Sequence, residues 1–433
     1  MKQFFTWGGV IVGVAVVANT LLAWRVQSKH QSQLAAIRAA GHPASIDELK
    51  PAPLPAGENA AAQLELATSA IKAFGIEQHR FLQHTPLGKE YDLVDGDRLP
   101  SADQAAAMRV ILAKHAPVGD AISRAAACDA WASLADFTLD HFQFMQAALD
   151  QVQVFRGMAR YAAWDVAVLA AERKTDDAVR RGIELLKLAR LHEAEPMMVN
   201  YLVTIAVRGV AVQALEGALR SGDITSATRA ALDAELARAE DPQSFAAMLV
   251  GERAVSLEMM DVSPSQAPPW VVSWVGWPMK RHFIQSYELY DLIIAEAQGP
   301  WQTFRKFKSS AAMTNAQRQF GVLGDLLTPA LAAGIDARDR DLVQIRTLRI
   351  LSALQAFAAA QGAEASGLVD LSLPAEATTD PYSGAPLLLK HTDAGWTVYS
   401  VGENKQDDGG NFEKRLGIGI GPDPVRAAAG TTD

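Results

Sequence analysis

The chain has 433 residues, of which 49% are hydrophobic and 21% are charged, and its formal net charge is −9. This composition excludes a disordered or collagen-like protein. The acidic surplus argues against nucleic acid as a partner, because binding to phosphate needs an excess of Lys and Arg. The single cysteine, Cys128, excludes an intramolecular disulfide framework and a zinc site made of several cysteines.

The strongest signal in the sequence is the uncharged apolar run of residues 4–24, FFTWGGVIVGVAVVANTLLAW. A helix rises ~1.5 Å per residue, so the run matches the ~30 Å hydrocarbon core of a bilayer. Trp7 and Trp24 lie near its two ends, where indole rings favour the membrane interface, and Lys2 and Arg25 flank it. The run therefore predicts a transmembrane helix whose partner is the lipid bilayer.

Cleavage as a signal peptide is the alternative, since Val16, Val17 and Ala18 form an acceptable cleavage site. The apolar run continues past this site to Trp24, which favours an uncleaved anchor. The positive charges after the run favour a cytoplasmic C-terminal side, whereas the very short N-terminal tail is typical of proteins that export the remainder. We expect a single-pass protein of the bacterial inner membrane with its C-terminal domain in the periplasm.

Gly9 and Gly13 form a GxxxG pattern inside the apolar run. Small residues at this spacing let two membrane helices approach closely, so the pattern predicts a homodimer. The favoured alternative is that glycines are simply frequent in membrane helices. A second protein of the cell envelope is the other kind of partner that a membrane anchor suggests.

The rest of the chain divides by composition. Residues 1–30 hold the anchor, and residues 31–57 contain several prolines, which predicts a semi-rigid spacer. Residues 58–365 show apolar residues at three- and four-residue steps, which predicts a multi-helix, bundle-like domain. Ser101 and Gln104 form a capping box at the start of one of its helices. The fold class is therefore mainly α.

Several helices follow from the periodicity. One apolar stripe consists of Trp131, Leu134, Thr138, Phe142, Met145 and Leu149. Residues 201–219 are apolar on most faces and predict a central, buried helix. This segment is interrupted by Arg208 and Glu216, which argues against a second membrane span. Further helices are predicted at residues 225–240, 243–261, 281–297 and 337–361.

The C-terminal part changes character. Residues 386–390 and 396–401 flank a turn and predict a small β-hairpin, within a segment that we place at residues 366–415. Residues 416–433 lack hydrophobic bulk and predict a disordered tail.

Three motifs at this end carry a resemblance: DPYSGAPL at residues 380–387, YSVG at 399–402 and DDGG at 407–410. Together with the helix predicted just before them, they are similar to the C-terminal β-segment of type II secretion major pseudopilins. The whole chain resembles uncharacterised membrane-anchored helical bacterial proteins, notably from planctomycetes, which share the Glu-Asn-Ala-Ala start at residues 58–61. That second resemblance implies no activity. The pilin-type N-terminus, with its cleavage site and glutamate, is absent from this sequence.

The resemblance to pseudopilins implies a calcium loop after the hairpin. The matching ligands here are the Val401 carbonyl, Asn404 and Asp407. Asn404 stands where the family has an aspartate, and the closing acidic residues are missing, while calcium prefers six to eight oxygens with several carboxylates. A solvated acidic turn is therefore favoured over a calcium site, and no other cofactor is expected.

No motif of catalysis is evident. The sequence has no phosphate-binding loop, no nucleophile elbow and no HExxH pattern. His192, Glu193 and Glu195 form the densest titratable cluster, for which a helix-end role is favoured over acid–base chemistry. Asp136, Asp140 and His141 are expected on one helix, where a solvated face is favoured over a cation site.

Aromatic and basic residues alternate in two places and form a candidate membrane surface. Packing in the core is the favoured alternative, because aromatic rings dominate core burial. The members are Trp270, Trp274, Trp277, Lys280, Arg281, Trp301, Arg305, Lys306 and Lys308.

The sequence thus favours a membrane-tethered, extracytoplasmic helical scaffold or binding protein over an enzyme. A component of a secretion or pilus-like assembly is one alternative, suggested by the C-terminal hairpin. An envelope hydrolase whose site is assembled from scattered residues is the other.

Overall fold

The computed structural model describes residues 2–93, 99–241, 243–258, 269–299, 301–307, 310–392, 395–410 and 418–420. The protein is mainly helical with a small antiparallel sheet near its C-terminus. Among the residues described in full, the helix at Met198–Ser221 is long and apolar enough to cross a membrane, and 50% of that apolar window is buried inside the protein. The side chains of residues 2–12, which include the first nine of the 21 residues of the predicted membrane run, lie outside the described set.

The helices are given in chain order: α1 Lys2–Ala39, α2 Ala60–Glu65, α3 Thr68–His84, α4 Pro86–Leu93, α5 Ala102–Lys114, α6 Ala116–Ala127, α7 His141–Ala171, α8 Thr175–His192, α9 Met198–Ser221, α10 Ser226–Arg238, α11 Gln243–Glu258, α12 Pro269–Ala297, α13 Trp301–Phe307, α14 Ala311–Gln361 and α15 Ala375–Thr378. The strands are β1 Leu388–Thr392, β2 Gly395–Ser400 and β3 Ile418–Ile420.

The largest core lies where α7, α8 and α9 pack on one another and on α2 to α6. Fully buried members include Met158, Leu185 and Leu215. Gly182 of α8 lets α9 approach closely, because a Cβ at this position would lie 2.4 Å from a methyl carbon of Leu215. The prediction that residues 201–219 form a central, buried helix is therefore confirmed in α9.

A second core joins the C-terminal helices. Tyr201 of α9, Phe245 of α11, Ile293 of α12, Phe304 of α13 and Ile335 of α14 are all buried in it. These five helices therefore form a layer that is continuous with the first core through α9, and α9 belongs to both cores.

The predicted spacer packs against the body. Leu34 and Ile37 of α1 are buried with Ala44, Leu257 and Tyr287, and Ile46 is buried in a further cluster with Phe137. α1 runs without a break through the end of the predicted span to Ala39. Residues 31–57, predicted as a semi-rigid spacer, thus include apolar side chains that have partners on α11 and α12.

Several predicted boundaries differ from the observed ones. The stripe from Trp131 to Leu149 was expected on one helix, but α7 begins only at His141, where Asp140 accepts a hydrogen bond from the Gln143 amide. α12 and α14 extend much further toward the N-terminus than residues 281 and 337, through Pro278 and Pro329. Proline lowers the helical tendency of a sequence but does not prevent a helix that packing stabilises.

The sheet confirms the predicted hairpin. β1 pairs antiparallel with β2, with Leu389 opposite Val398, and β2 pairs with β3. Leu387 and Val398 pack on the second half of α14, against Ile350 and Leu354. β3 lies within residues 416–433, which were expected to be disordered; its residues Ile418–Ile420 are ordered by pairing with β2, and the remainder of that tail lies outside the described residues.

A charge network lies at the centre of the helical body. Arg208 of α9, with 0% of its side chain exposed, pairs with Glu193 and lies 3.3 Å from the Asp341 carboxylate. Arg338 donates to the same Asp341 at 2.9 Å, and both arginines donate to the Ala239 carbonyl. Burial alone would lower the pKa of Arg208, but Asp341 and Glu193 outweigh it and raise that pKa above its usual value.

We predict that Arg208→Met destabilises the protein by about 3–5 kcal/mol, because it leaves buried carboxylates without their counter-charge. The measurement is urea unfolding of the detergent-solubilised full chain. The control is Arg180→Met, which removes an exposed pair with Asp177 and is expected to cost less than about 1 kcal/mol. Equal effects of the two variants would contradict the importance of the buried network.

Candidate membrane-facing site

The middle of α1 presents its apolar side chains to the outside of the protein. Val14, Val16, Val17, Leu21 and Trp24 are between 45% and 66% exposed. This exposure ends at the docked second half of the helix, where His30, Leu34 and Ile37 are buried. A row of large apolar side chains left uncovered on one helix marks a surface that meets either another protein or lipid.

α12 lies parallel to α1 on the side where that helix is covered. The Trp277 indole N–H donates to the Asn19 side-chain oxygen at 2.8 Å, and Lys29 pairs with Glu288 at 2.9 Å. The two contacts join residues 258 and 259 positions apart, so the helices run in the same direction in step. The ring centroids of His30 and Tyr287 lie 6.3 Å apart at the same level as the ion pair.

The constant offset fixes which residues share a level along the helix axes. Lys280 and Arg281 of α12 lie at the level of Leu22 and Ala23, one turn or less from Trp24 and Arg25. Pro269, where α12 begins, lies about 12 Å beyond Trp277 toward the N-terminus of α1, since each residue adds ~1.5 Å. The first two turns of α12 therefore run beside the middle of the apolar run of α1.

The structure divides the predicted aromatic and basic surface into two parts. Trp270, Trp274, Trp277, Lys280 and Arg281 all belong to α12 beside the anchor, although the side chains of Trp270 and Trp274 lie outside the described set. Arg281 is exposed and Trp277 is partly covered.

In the second part, Trp301 and Arg305 are held by contacts within the protein. The Trp301 indole donates to Asp339 at 2.8 Å, and Arg305 pairs with the same carboxylate. Arg305 also donates to the Tyr382 carbonyl, and its guanidinium lies 4.7 Å from the centre of the Tyr382 ring. These contacts hold α13 on α14 and on the C-terminal segment, so Trp301 and Arg305 do not join the surface formed by α12. Lys306 is exposed on α13, and Lys308 lies outside the described residues.

Gly9 and Gly13 both lie in α1. A Cβ at Gly13 would meet nothing within 4 Å, so none of the described residues packs against this glycine. Space for a second helix is therefore present at Gly13, and the homodimer stays a prediction.

The DPYSGAPL and YSVG motifs meet at one buried carboxylate. Asp380 accepts hydrogen bonds from the Tyr382 amide, the Ser383 and Ser400 hydroxyls and the Val401 amide. These bonds tie the DPYSG turn to the end of β2. The spacing of the motifs thus has a local structural reason.

The predicted calcium ligands lie in the loop that follows β2. Asp407 Oδ1 accepts from the Tyr399 hydroxyl and the Gly409 amide, both at 2.9 Å, and Asn404 Oδ1 accepts from the Gln406 amide at 3.0 Å. Burial and the Asp407 carboxylate raise the pKa of Tyr399 to about 12, so the phenol keeps the proton that it donates. The side-chain oxygens of Asn404 and Asp407, which were predicted to bind calcium, therefore accept hydrogen bonds from groups of the protein.

Asp408, which the sequence interpretation left out, has two buried carboxylate oxygens to which no described group donates. No group of three or more His, Cys, Asp or Glu side chains that could hold a metal ion occurs among the described residues. A calcium ion here would therefore depend on backbone carbonyls beside Asp407 and Asp408, and Asp408 is the residue that fits it best.

The other clusters singled out in the sequence are separated by the fold. Asp136 lies in the segment before α7, where it accepts a hydrogen bond from the Thr138 amide, and Asp140 is the N-cap of α7. Asp136, Asp140 and His141 therefore do not share one face of a helix. Glu193 belongs to the Arg208 network, whereas His192 and Glu195 are buried beside a small cavity.

Comparison with known proteins gives no relative for this chain: no family model matches it, and neither the curated proteins nor the solved structures contain a significant match.

We predict that millimolar calcium raises the thermal midpoint of the full chain and that Asp408→Asn abolishes this response. The reason is that calcium supplies the charge that the buried Asp408 carboxylate lacks. Asp103→Asn, at an exposed aspartate on α5, is the control and should respond to calcium as the parent chain does. The same response in all three proteins, or in none, would contradict a calcium site at this loop.

Proposed function

We propose that the protein is a single-pass protein of the bacterial inner membrane whose helical body lies in the periplasm and acts as a binding or scaffold module. The observation that carries this proposal is the exposure of Val14, Val17 and Trp24 on α1. In water this row of side chains would be unfavourable by roughly 25 cal/mol for each Å² of apolar surface, whereas lipid covers it without cost.

α12 supports the same placement from a distant part of the sequence. If Trp24 lies at the outer interface, Lys280 and Arg281 reach the headgroups, because they share its level. Cationic side chains at that depth interact favourably with anionic lipids. The first two turns of α12 then lie beside α1 around the middle of the bilayer, and the Asn19 amide within the bilayer is satisfied by Trp277.

The docking of α1 has a consequence for how the body is held. Leu34 and Ile37 pack on α12, and Ala44 and Ile46 continue the packing. Such contacts keep the body at a fixed angle and distance from the bilayer, unlike a flexible linker that lets a domain swing. A scaffold needs this kind of fixed orientation.

Two alternative functions, a role in a secretion or pilus-like assembly and an envelope hydrolase, rest on the sequence alone. A role in a secretion or pilus-like assembly depends on the resemblance of residues 380–410 to major pseudopilins. A hydrolase of the envelope would need a nucleophile and a base in contact, and the described hydrogen bonds do not place His192 beside a hydroxyl other than that of Thr204.

We predict that Val14→Arg combined with Val17→Arg prevents the purified chain from binding to lipid vesicles. Each arginine at the centre of a membrane helix costs roughly 2.5–3.5 kcal/mol. The measurement is flotation of the reconstituted full chain with liposomes, and circular dichroism checks that the body of the variant stays helical.

The matched control is Val110→Arg, since Val110 is 70% exposed on α5 in the body. This variant should float as the parent chain does. Flotation of the double variant to the same extent would contradict membrane insertion of α1.

A further inference from the structure

A small cavity in the helical body is lined by His192 and Glu195, which have no part in the proposed membrane anchor. It encloses about 60 Å³ and is lined by residues of α2, α3, α7 and α8 and of the segments between α6 and α7 and between α8 and α9. Leu64, Ile71, Val154 and Met158 form its apolar wall. The polar exceptions at the inner end are His192 and Glu195, which are 3% and 5% exposed.

Glu195 has hydrogen bonds but no counter-charge in this cavity. The Trp131 indole N–H donates to Glu195 Oε1 at 2.7 Å. The charged residues that line the cavity are Glu195 and the more exposed Glu65, both acidic, and no Lys or Arg belongs to the lining. Carboxylates this deeply buried are normally paired with a cation. Burial accordingly raises the pKa of Glu195, against the opposing effect of the Trp131 hydrogen bond.

His192 does not supply the missing positive charge. Its ring stacks on Phe155 with centroids 3.9 Å apart, and its Nδ1 lies 2.7 Å from the Thr204 hydroxyl. Burial lowers the pKa of His192 to about 3, so the imidazole stays neutral at physiological pH. Among the described residues, none bonds to Nε2. When Nδ1 donates to Thr204, Nε2 carries a lone pair next to the cavity.

We propose that this cavity binds the ammonium head of a primary alkylamine. The Glu195 carboxylate is the counter-ion, His192 Nε2 accepts a second N–H, and the rings of Trp131 and Phe155 supply the aromatic surface that favours cations. Leu64, Ile71 and Val154 then contact the first methylene groups. The cavity is less than half of the ~150 Å³ that holds benzene in an engineered protein core, so it admits the head and first carbons of a chain that leaves at the mouth.

The test is isothermal titration of the full chain in detergent with n-butylammonium and with 1-butanol. We expect n-butylammonium to bind and 1-butanol, which has the same length and no charge, to bind roughly tenfold or more weakly. Glu195→Gln keeps an acceptor for Trp131 and removes the charge, so it should reduce the affinity for n-butylammonium by a similar factor. Equal affinity for both probes, an unchanged affinity in Glu195→Gln or the lack of saturable binding would each overturn the proposal.

Two further arms sharpen the result. Glu90→Gln, at an exposed position on α4, should bind n-butylammonium as the parent chain does, and circular dichroism verifies that each variant is folded. Nα-acetyl-lysine amide carries the same head on a peptide backbone: equal binding identifies a lysine side chain as the source, and weaker binding identifies a free amine.

The pH dependence separates an ion pair from apolar binding. His192 stays neutral between pH 5 and pH 8, and burial raises the pKa of Glu195 above its usual value, so the Glu195 carboxylate is the group whose ionisation we expect to control binding. Because the ionised carboxylate is the binding form, the affinity for n-butylammonium should rise from pH 5 to pH 8 and lose this rise in Glu195→Gln. The same rise in that variant would overturn the assignment to Glu195.

Discussion

The apolar side chains in the middle of α1 are largely exposed although the second half of the same helix is packed on the body, and the membrane proposal depends on this contrast. Val14, Val17 and Leu21 are exposed on a helix whose continuation is firmly packed. Exposure thus gives way to burial along one continuous helix. The change occurs between Trp24 and His30, where the contacts with the second half of α12 begin.

The stability of the helical body depends on the pairing of buried charges with opposite charges. Arg208 and Arg338 share Asp341, and Glu193 completes the set, so two positive and two negative charges balance within one network. Such a network adds little stability relative to an apolar core, but removing one member is costly. The cavity beside His192 is the contrasting case, because Glu195 is also buried but no cation occurs among the residues that line the cavity. That difference is what separates a structural network from a binding site.

The sequence predicted those features that depend on local patterns. Residues 201–219 are apolar on most faces and form α9, the capping box at Ser101 and Gln104 is present with both of its hydrogen bonds, and the hairpin forms around its turn. Features that depend on distant partners were not predictable. Arg208 was taken only as an interruption of an apolar segment, because its partner Asp341 is far away in sequence.

The candidate membrane-facing site likewise depends on contacts between residues that are far apart in the sequence. The tryptophans of α12 were recognised, but their position beside α1 required the contact of Trp277 with Asn19, 258 residues apart. Core packing and a membrane surface gave the same pattern of aromatic and basic residues, and only the fold separated Trp277 from Trp301. Asp408 was missed because a second aspartate in an acidic turn carries no signal of burial.

The central claim is that α12 begins inside the bilayer beside α1, and its most direct test is labelling with a membrane-impermeant maleimide on spheroplasts. Single cysteines at Ser273 and Glu288 in a Cys128→Ala background place probes about 22 Å apart on α12. Glu288→Cys should label in intact spheroplasts, and Ser273→Cys should label only after detergent is added. Equal labelling of both positions without detergent would show that the start of α12 lies in water and would contradict the account.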